Sequence, residues 1–445
     1  MTSLRRETES EAGLAVDDLQ ETWRILTSEE RLEAFLDLPR AEAEDFFLDL
    51  SARDEYELLM EFAPAQRRSW LRLLPPDDAA DLVQEAAEDE REALLALLVE
   101  QTKREVQALL AYAEDDAGGL MNPRYARVRP DVTVDEAVSY LRKQVREYLE
   151  SVYYVYVIDA DQKLLGVVSF RDLFAAKPDQ HVRELMSADI VTAREDMDQE
   201  ELGRLFAQRD LQAIPVVDAQ GHMKGIVTVD DIVDVIQEEA TEDIQKIGGT
   251  EALDAPYLEV GFLSMLRKRV VWLAILFVSE MLTTTAMSKF EDEIAKAVVL
   301  SLFIPLIISS GGNSGSQAST LVIRALALGD VSLGDWWRVM RNEVLQGLGM
   351  GSILGAIGFT RVMLWQALFH TYGQHAMLIA TTIAGSVLGV VLWGTLSGSM
   401  LPFILKRAGL DPASASAPFV ATLVDVTGIV IYFSIASVVL RGTLL

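Results

Sequence analysis

The sequence predicts a multidomain membrane protein. An α-helical superhelical N-terminal domain, an α+β tandem repeat and an acidic connecting helix precede a five-helix all-α transmembrane domain. Three observations predict this. Residues 1–265 hold 27 Lys/Arg against 59 Asp/Glu, whereas 266–445 hold 12 against 9, within a whole-chain net charge of −29. The second half contains five apolar stretches long enough to cross a bilayer. Residues 120–235 contain one pattern written twice.

Composition excludes several functions. There is no cysteine, hence no disulfide framework, thiolate nucleophile or Cys-type zinc site. His181, His222, His370 and His375 are scattered and no His-Glu-x-x-His run occurs. With no phosphate-binding loop either, the chain is not expected to be an enzyme. So acidic a chain is a poor nucleic-acid partner. The start, Met1-Thr2-Ser3-Leu4-Arg5-Arg6, runs into acidic residues with no apolar stretch behind it, so the first half is expected in the cytoplasm.

Residues 1–12 are expected to be disordered. From 13 to 119, short apolar-periodic segments (31–38, 41–50, 54–62, 66–74, 77–87 and 91–98) alternate with Pro or Asp, as in a compact helical array. The repeats follow, at 120–180 and 181–242. Leu120-Met121-Asn122 matches Leu185-Met186-Ser187, Val157-Ile158-Asp159-Ala160 matches Val216-Val217-Asp218-Ala219, and Gly166 to Leu173 matches Gly225 to Ile232. The offset is 65 at the first pair and 59 at the others, which places about six extra residues near 143–151 of the first copy. Each copy reads helix, strand, turn, strand, helix. A Ser/Thr-x-x-Asp step opens the last helix of each, a capping pattern sufficient in itself to explain the residues.

A connecting helix is expected next, assigned to 243–267. An acidic stripe leads into it: Asp231, Asp234, Glu238 and Glu242 share one helical face, flanked by Asp230, Glu239 and Asp243, and Gly248-Gly249 supplies a stop. Two readings stay open. The stripe is a solvated face, or its oxygen-only ligands hold a hard cation such as Mg2+ or Ca2+.

The membrane domain is expected over 268–445, with spans near 270–290, 295–321, 345–368, 377–405 and 418–440. Eight Lys/Arg flank one side of the bilayer and four the other, placing the amino terminus inside and the carboxyl terminus outside. In the second span, Gly311-Gly312 is expected to unwind or kink the helix, or else to let helices approach closely. Asn313 and Gln317, four residues apart, suggest a polar lining. Asp425 lies about two turns past Pro418, where a carboxylate costs at least ~2.5 kcal/mol on insertion scales. A cation is its natural partner; a protonated or hydrogen-bonded carboxyl is the alternative. Glu280, midway along the first span, could assist a cation path, pair with a Ser or Thr on another helix, or stay protonated.

The repeats resemble a tandem pair of CBS domains. That resemblance implies an adenine nucleotide such as ATP at Tyr154, Ser169, Arg171 and Asp172. Two runs, Gly311-Gly312-Asn313-Ser314-Gly315-Ser316-Gln317 and Ala421-Thr422-Leu423-Val424-Asp425-Val426-Thr427-Gly428, occur behind a CBS pair and an acidic helix. With them the whole chain is similar to the MgtE family of bacterial magnesium transporters. The resemblance implies a homodimeric, Mg2+-selective and Mg2+-gated channel of the plasma (inner) membrane. Its pore ligand would be Asp425, with Asn313 and Asp411 in the pore's vicinity. Its cytosolic sensor ligands would be Glu200, Asp210, Asp231, Asp234, Glu239, Glu242 and Asp243 on a plug helix and its neighbours. Ala417 stands where some relatives carry Asn. The competing expectation is a CBS-regulated transporter of Co2+, Mn2+ or an organic cation.

Overall fold

The structure, a computed structural model, describes residues 16, 18–144, 153–253, 255–258 and 260–444. The expected disordered start and most of the 143–151 insertion lie outside the described residues. The chain forms two compact units, Met1–Ile236 and Gln237–Leu445.

Short helices fill the start of the first unit, among them α1 (Ser28–Leu36), α2 (Arg40–Leu48), α3 (Ala52–Glu61), α4 (Pro64–Leu71), α5 (Pro76–Glu85), α6 (Glu88–Leu95) and α7 (Glu100–Leu109). Their starts are written locally. Thr27 and Glu30 form a capping box, Ser51 caps α3, and Pro64 and Pro76 occupy first turns. Helices of eight to ten residues are marginal alone, so shared burial holds them. Phe35, Phe46, Phe47, Leu59 and Leu71 are almost wholly enclosed, and the Trp70 ring lies 5.0 Å from Phe35 and 5.3 Å from Phe47.

The repeat comprises β1 (Arg127–Val128), α8 (Val134–Gln144), β2 (Tyr154–Ile158), β3 (Leu164–Ser169), α9 (Phe170–Ala175) and α10 (Val182–Leu185). It then continues through β4 (Ala193–Arg194), α11 (Gln199–Arg209), β5 (Ala213–Val217), β6 (Met223–Thr228) and α12 (Val229–Ile247). Two three-stranded sheets result, β1-β2-β3 and β4-β5-β6, each with one parallel and one antiparallel pairing. The repeated Leu-Met steps are exchanged between copies. Asn122 of the first bridges Ile226 on β6, and Ser187 of the second bridges Val167 on β3. Met121 thereby lies over Gly225 and Met186 over Gly166, where an added Cβ would approach the methionine side chains within 3.0 Å.

The connecting segment departs from expectation. Residues 243–267 are not one helix: α12 starts at Val229 and ends at Ile247, and among the described residues the next helix starts at Phe262. Gly249 adopts φ +75°, and its missing Cβ leaves room for Trp272 and Pro418. A left-handed residue followed by Pro256 stops the helix.

Five helices of the second unit are long and apolar enough to cross a membrane. They are α13 (Phe262–Ser288), α16 (Ile304–Ala327), α17 (Trp336–Phe369), α18 (Ala376–Arg407) and α19 (Ala417–Val439); α14 (Glu291–Lys296) and α15 (Val298–Ser301) are short pieces between the first two. Gly311-Gly312 does not unwind α16, which is helical throughout. The glycines serve packing instead. A Cβ on Gly311 would strike Val390 and Val424, and one on Gly315 would lie 2.8 Å from Val420 and 2.9 Å from the Gly394 carbonyl. Helices α18 and α19 both close on this strip, because small residues permit near backbone contact. Ser316 and Ser319 then donate hydrogen bonds across to the Ala417 and Ala415 carbonyls at 3.0 and 2.7 Å.

Gly315→Val should therefore destabilise the bundle by about 1–3 kcal/mol. The check is the melting temperature of the detergent-solubilised protein. Gly349→Ala, with nothing within 4 Å of the new methyl, should not lower it.

Candidate functional site

Asp425 sits midway along α19, half-buried, on the side facing α16. A Cβ built on Gly312 would lie 3.8 Å from its Oδ1. Among the described residues no Lys, Arg or His pairs with it, and the ionisable group that acts on it is the Glu280 carboxyl. The ends of its helix are fixed. Ser416 Oγ accepts the Phe419 N–H and the Trp272 indole N–H, each at 3.3 Å, and the Tyr432 hydroxyl donates to the Leu300 carbonyl at 2.8 Å. Two residues beyond Asp425, Thr427 Oγ1 accepts the Trp393 indole N–H at 2.7 Å. Asn313 and Gln317 are exposed on the face of α16 away from its buried glycines.

Asp411 accepts the Ala413 N–H at 2.8 Å and an ion pair from Lys246 at 2.7 Å. Lys246 also pairs with Glu242, one turn back on α12. Burial opposes the charge on Lys246, yet the hydrogen bonds it donates to Asp411 and then Glu242 outweigh it and raise its pKa above the ordinary lysine value. Glu242 thus has a basic partner, and the loop leading into α19 is tied to the last turn of α12. Sequence reasoning missed Lys246, a single basic residue at the end of a long acidic face.

In the first unit the structure gathers acids that spacing alone did not group. Asp231 caps its own helix, accepting the Thr228 hydroxyl at 2.6 Å and N–H at 3.2 Å. Asp78 on α5 feels both Asp231 and Asp230, and Glu55 on α3 feels Asp78 and Asp81. Burial, reinforced by these neighbours, pushes the Glu55 carboxyl up to about 10 and holds Asp78 well above the usual carboxylate range. Burial also raises Asp231, against the Thr228 hydrogen bonds. Asp77 beside them accepts the side-chain N–H of buried Asn122 at 3.0 Å.

Other predicted ligands are dispersed. Glu200 opens α11, where it pairs with Arg204 at 3.5 Å, and Asp210 is the left-handed cap at its far end, about 15 Å away by helical rise. Asp234 is exposed, and Glu239 and Asp243 are half-buried. Among the described residues no three acidic or His side chains converge as a ready-made metal site. In the first repeat Tyr154 lies directly across the ladder from Ser169. Ser169 Oγ donates to Asp172 at 2.7 Å and accepts its N–H, while Arg171 is exposed.

Residues 304–435 match the MgtE divalent cation transporter family, 14–115 the MgtE intracellular N domain, and 117–179 and 182–238 the CBS domain. Magnesium transporter MgtE of Thermus thermophilus is 40% identical over 428 residues, covering 96% of this chain and 93% of that protein. Magnesium transporter MgtE of Enterococcus faecalis is 34% identical, covering 76% and 72%. The crystal structure of the cytosolic domain of the Mg2+ channel MgtE with ATP is 39% identical, with TM-score 0.47, covering 53% of this chain and 97% of its own.

The raised carboxyls make stability depend on pH. Glu55 binds a proton more tightly in the folded state than in the unfolded chain, whose ordinary value is 4.5. Its contribution is therefore complete below that value and is lost as pH climbs toward about 10. In chelator, hydrogen exchange in α3 and α5 should accelerate between about pH 5 and about pH 9, beyond the intrinsic rise, and Glu55→Gln should flatten the excess.

Proposed function

Because the chain belongs to the MgtE family of magnesium transporters, we propose that it is a Mg2+-selective channel of the bacterial plasma membrane, gated by cytosolic Mg2+. The observation that carries this is Asp425, a half-buried carboxylate within an apolar helix and without a basic partner among the described residues. Mg2+ gives up its water reluctantly, so a path for it needs few carboxylates and room for a hydration shell. In a homodimer two Asp425 side chains would face one axis. The first half of the chain would then lie in the cytoplasm and the carboxyl terminus outside. That its relatives are magnesium transporters supports Mg2+, rather than Co2+, Mn2+ or an organic cation, as the cargo of this chain.

Gating follows from charge. With Mg2+ scarce, the excess of 59 acids over 27 bases in residues 1–265 repels itself, and half-buried acids such as Asp78 and Asp231 add to the cost. Divalent cations at Asp231, Asp234, Glu239, Glu242 and Asp243, with Glu200 and Asp210 contributing a separate place, would neutralise that repulsion and favour a closed form. A ligand that binds one state preferentially shifts the equilibrium toward it. Glu55, Asp77, Asp78 and Asp81 extend the sensor onto the helical array. An adenine nucleotide in the first repeat would stack on Tyr154 and meet Ser169, Asp172 and Arg171.

Asp425→Asn should reduce Mg2+ flux in liposomes to that of protein-free vesicles while elution on size exclusion stays unchanged. Intact flux would remove the pore assignment. A second experiment tests the gate: millimolar Mg2+ should slow proteolysis between 248 and 263, and Asp234→Asn with Glu239→Gln should leave a channel that conducts at high cytosolic Mg2+.

A further inference from the structure

Helix α13 turns one continuous seam inward. Trp272, Leu276, Glu280, Thr283 and Met287 recur every three or four residues and lead on to Phe290; Leu276 and Thr283 are the buried residues of the helix. The seam lies against α19 in parallel, pinned at both ends. The Trp272 indole donates to Ser416 at 3.3 Å and its ring lies 6.3 Å from Phe419, while Phe290 stacks on Phe433 with centroids 5.0 Å apart. In that register Glu280 is level with Val424 and Asp425, and the two carboxyl groups lie within electrostatic reach. Glu280 therefore faces protein rather than lipid, in a seam where an apolar residue would pack at lower cost.

A second oxygen waits beside it. Thr283, one turn on, is 9% exposed, and its Oγ1 has no hydrogen-bond partner among the described residues. Helical threonines elsewhere in the unit donate back four residues, as Thr285, Thr360 and Thr382 do at 3.2, 2.7 and 2.9 Å. A buried hydroxyl without that bond carries a desolvation penalty until a ligand or its water shell reaches it.

We propose that Glu280, together with Thr283 Oγ1, forms a second oxygen site on the Mg2+ path at the level of Asp425, and that Glu280 sets how tightly the hydrated divalent cation is held. The inference rests on the reading of Asp425 as the pore carboxylate. Two like charges at one depth in low dielectric favour a doubly charged ion over a singly charged one. Few ligands suffice, because the cation keeps most of its water.

The test uses the full chain in liposomes, with flux measured against Mg2+ concentration and against competing Na+. Glu280→Gln is expected to raise the half-saturating Mg2+ concentration about tenfold and to weaken discrimination against Na+, with unchanged size-exclusion elution and melting temperature. A purely packing role would move the melting temperature and leave the concentration dependence alone; that outcome overturns the proposal. Should Glu280→Gln fail to fold, Glu280→Asp carries the test: a shifted half-saturation supports the proposal and a wild-type curve overturns it. Asp425→Asn run alongside separates the two readings. If it conducts, the pore assignment falls; if it is silent while Glu280→Gln behaves as wild type, only the role of Glu280 falls.

Discussion

Glu55, Asp78 and Asp425 share one circumstance on which the rest of the molecule depends: each carboxyl is wholly or partly covered by protein, and the ionisable groups that act on it are other acids. A carboxylate so placed must hold a proton or attract a cation. The protein places that demand in both units, and on different scaffolds. In the first, short helices stacked by aromatic contacts bring α3 and α5 near the start of α12. In the second, a glycine strip lets backbones close around a single acid. Among the described residues neither arrangement brings three acidic or His side chains together into a metal site.

The membrane bundle shows how little side-chain volume this takes. Gly311 and Gly315 on α16, with Gly394 and Gly398 on α18, bring backbones together at places where a methyl group would collide. Closely packed helices are hard to deform, so the depth of Asp425 is set by the fit of neighbouring backbones as much as by its own helix. Serines at the same junction donate to the Ala415 carbonyl in the loop before α19 and to the Ala417 carbonyl at the start of that helix. Lys246 fixes the loop from another side through Asp411. The entrance to the last span is thus held by hydrogen bonds and by charge.

Much of this is legible in the amino-acid order. Five spans, the repeat and the stop at Gly248-Gly249 are carried by the order of the residues alone, without reference to which faces meet. Asp425 is legible because a charge in an apolar run is conspicuous wherever the neighbours lie. The remainder depends on which faces meet. Glu55 and Asp78 belong to amphipathic helices rich in acids, and nothing in their spacing tells a solvated carboxylate from one covered by the next helix. Gly311-Gly312 reads as a break because glycine weakens an isolated helix, whereas packed neighbours remove that weakness. The stagger that levels Glu280 with Asp425 comes from two aromatic contacts far apart in the chain.

The exchange of Met121 and Met186 between the two repeats has a consequence for how the chain is made. Met121 leaves the ribosome long before Gly225, the residue whose bare backbone receives it, and the sheet containing Gly166 stays uncovered until Met186 emerges. Neither copy can reach its final form as an independent piece. The first copy's sheet is thus covered as soon as the second copy begins to emerge, whereas Met121 waits for most of the second copy before its seat over Gly225 exists.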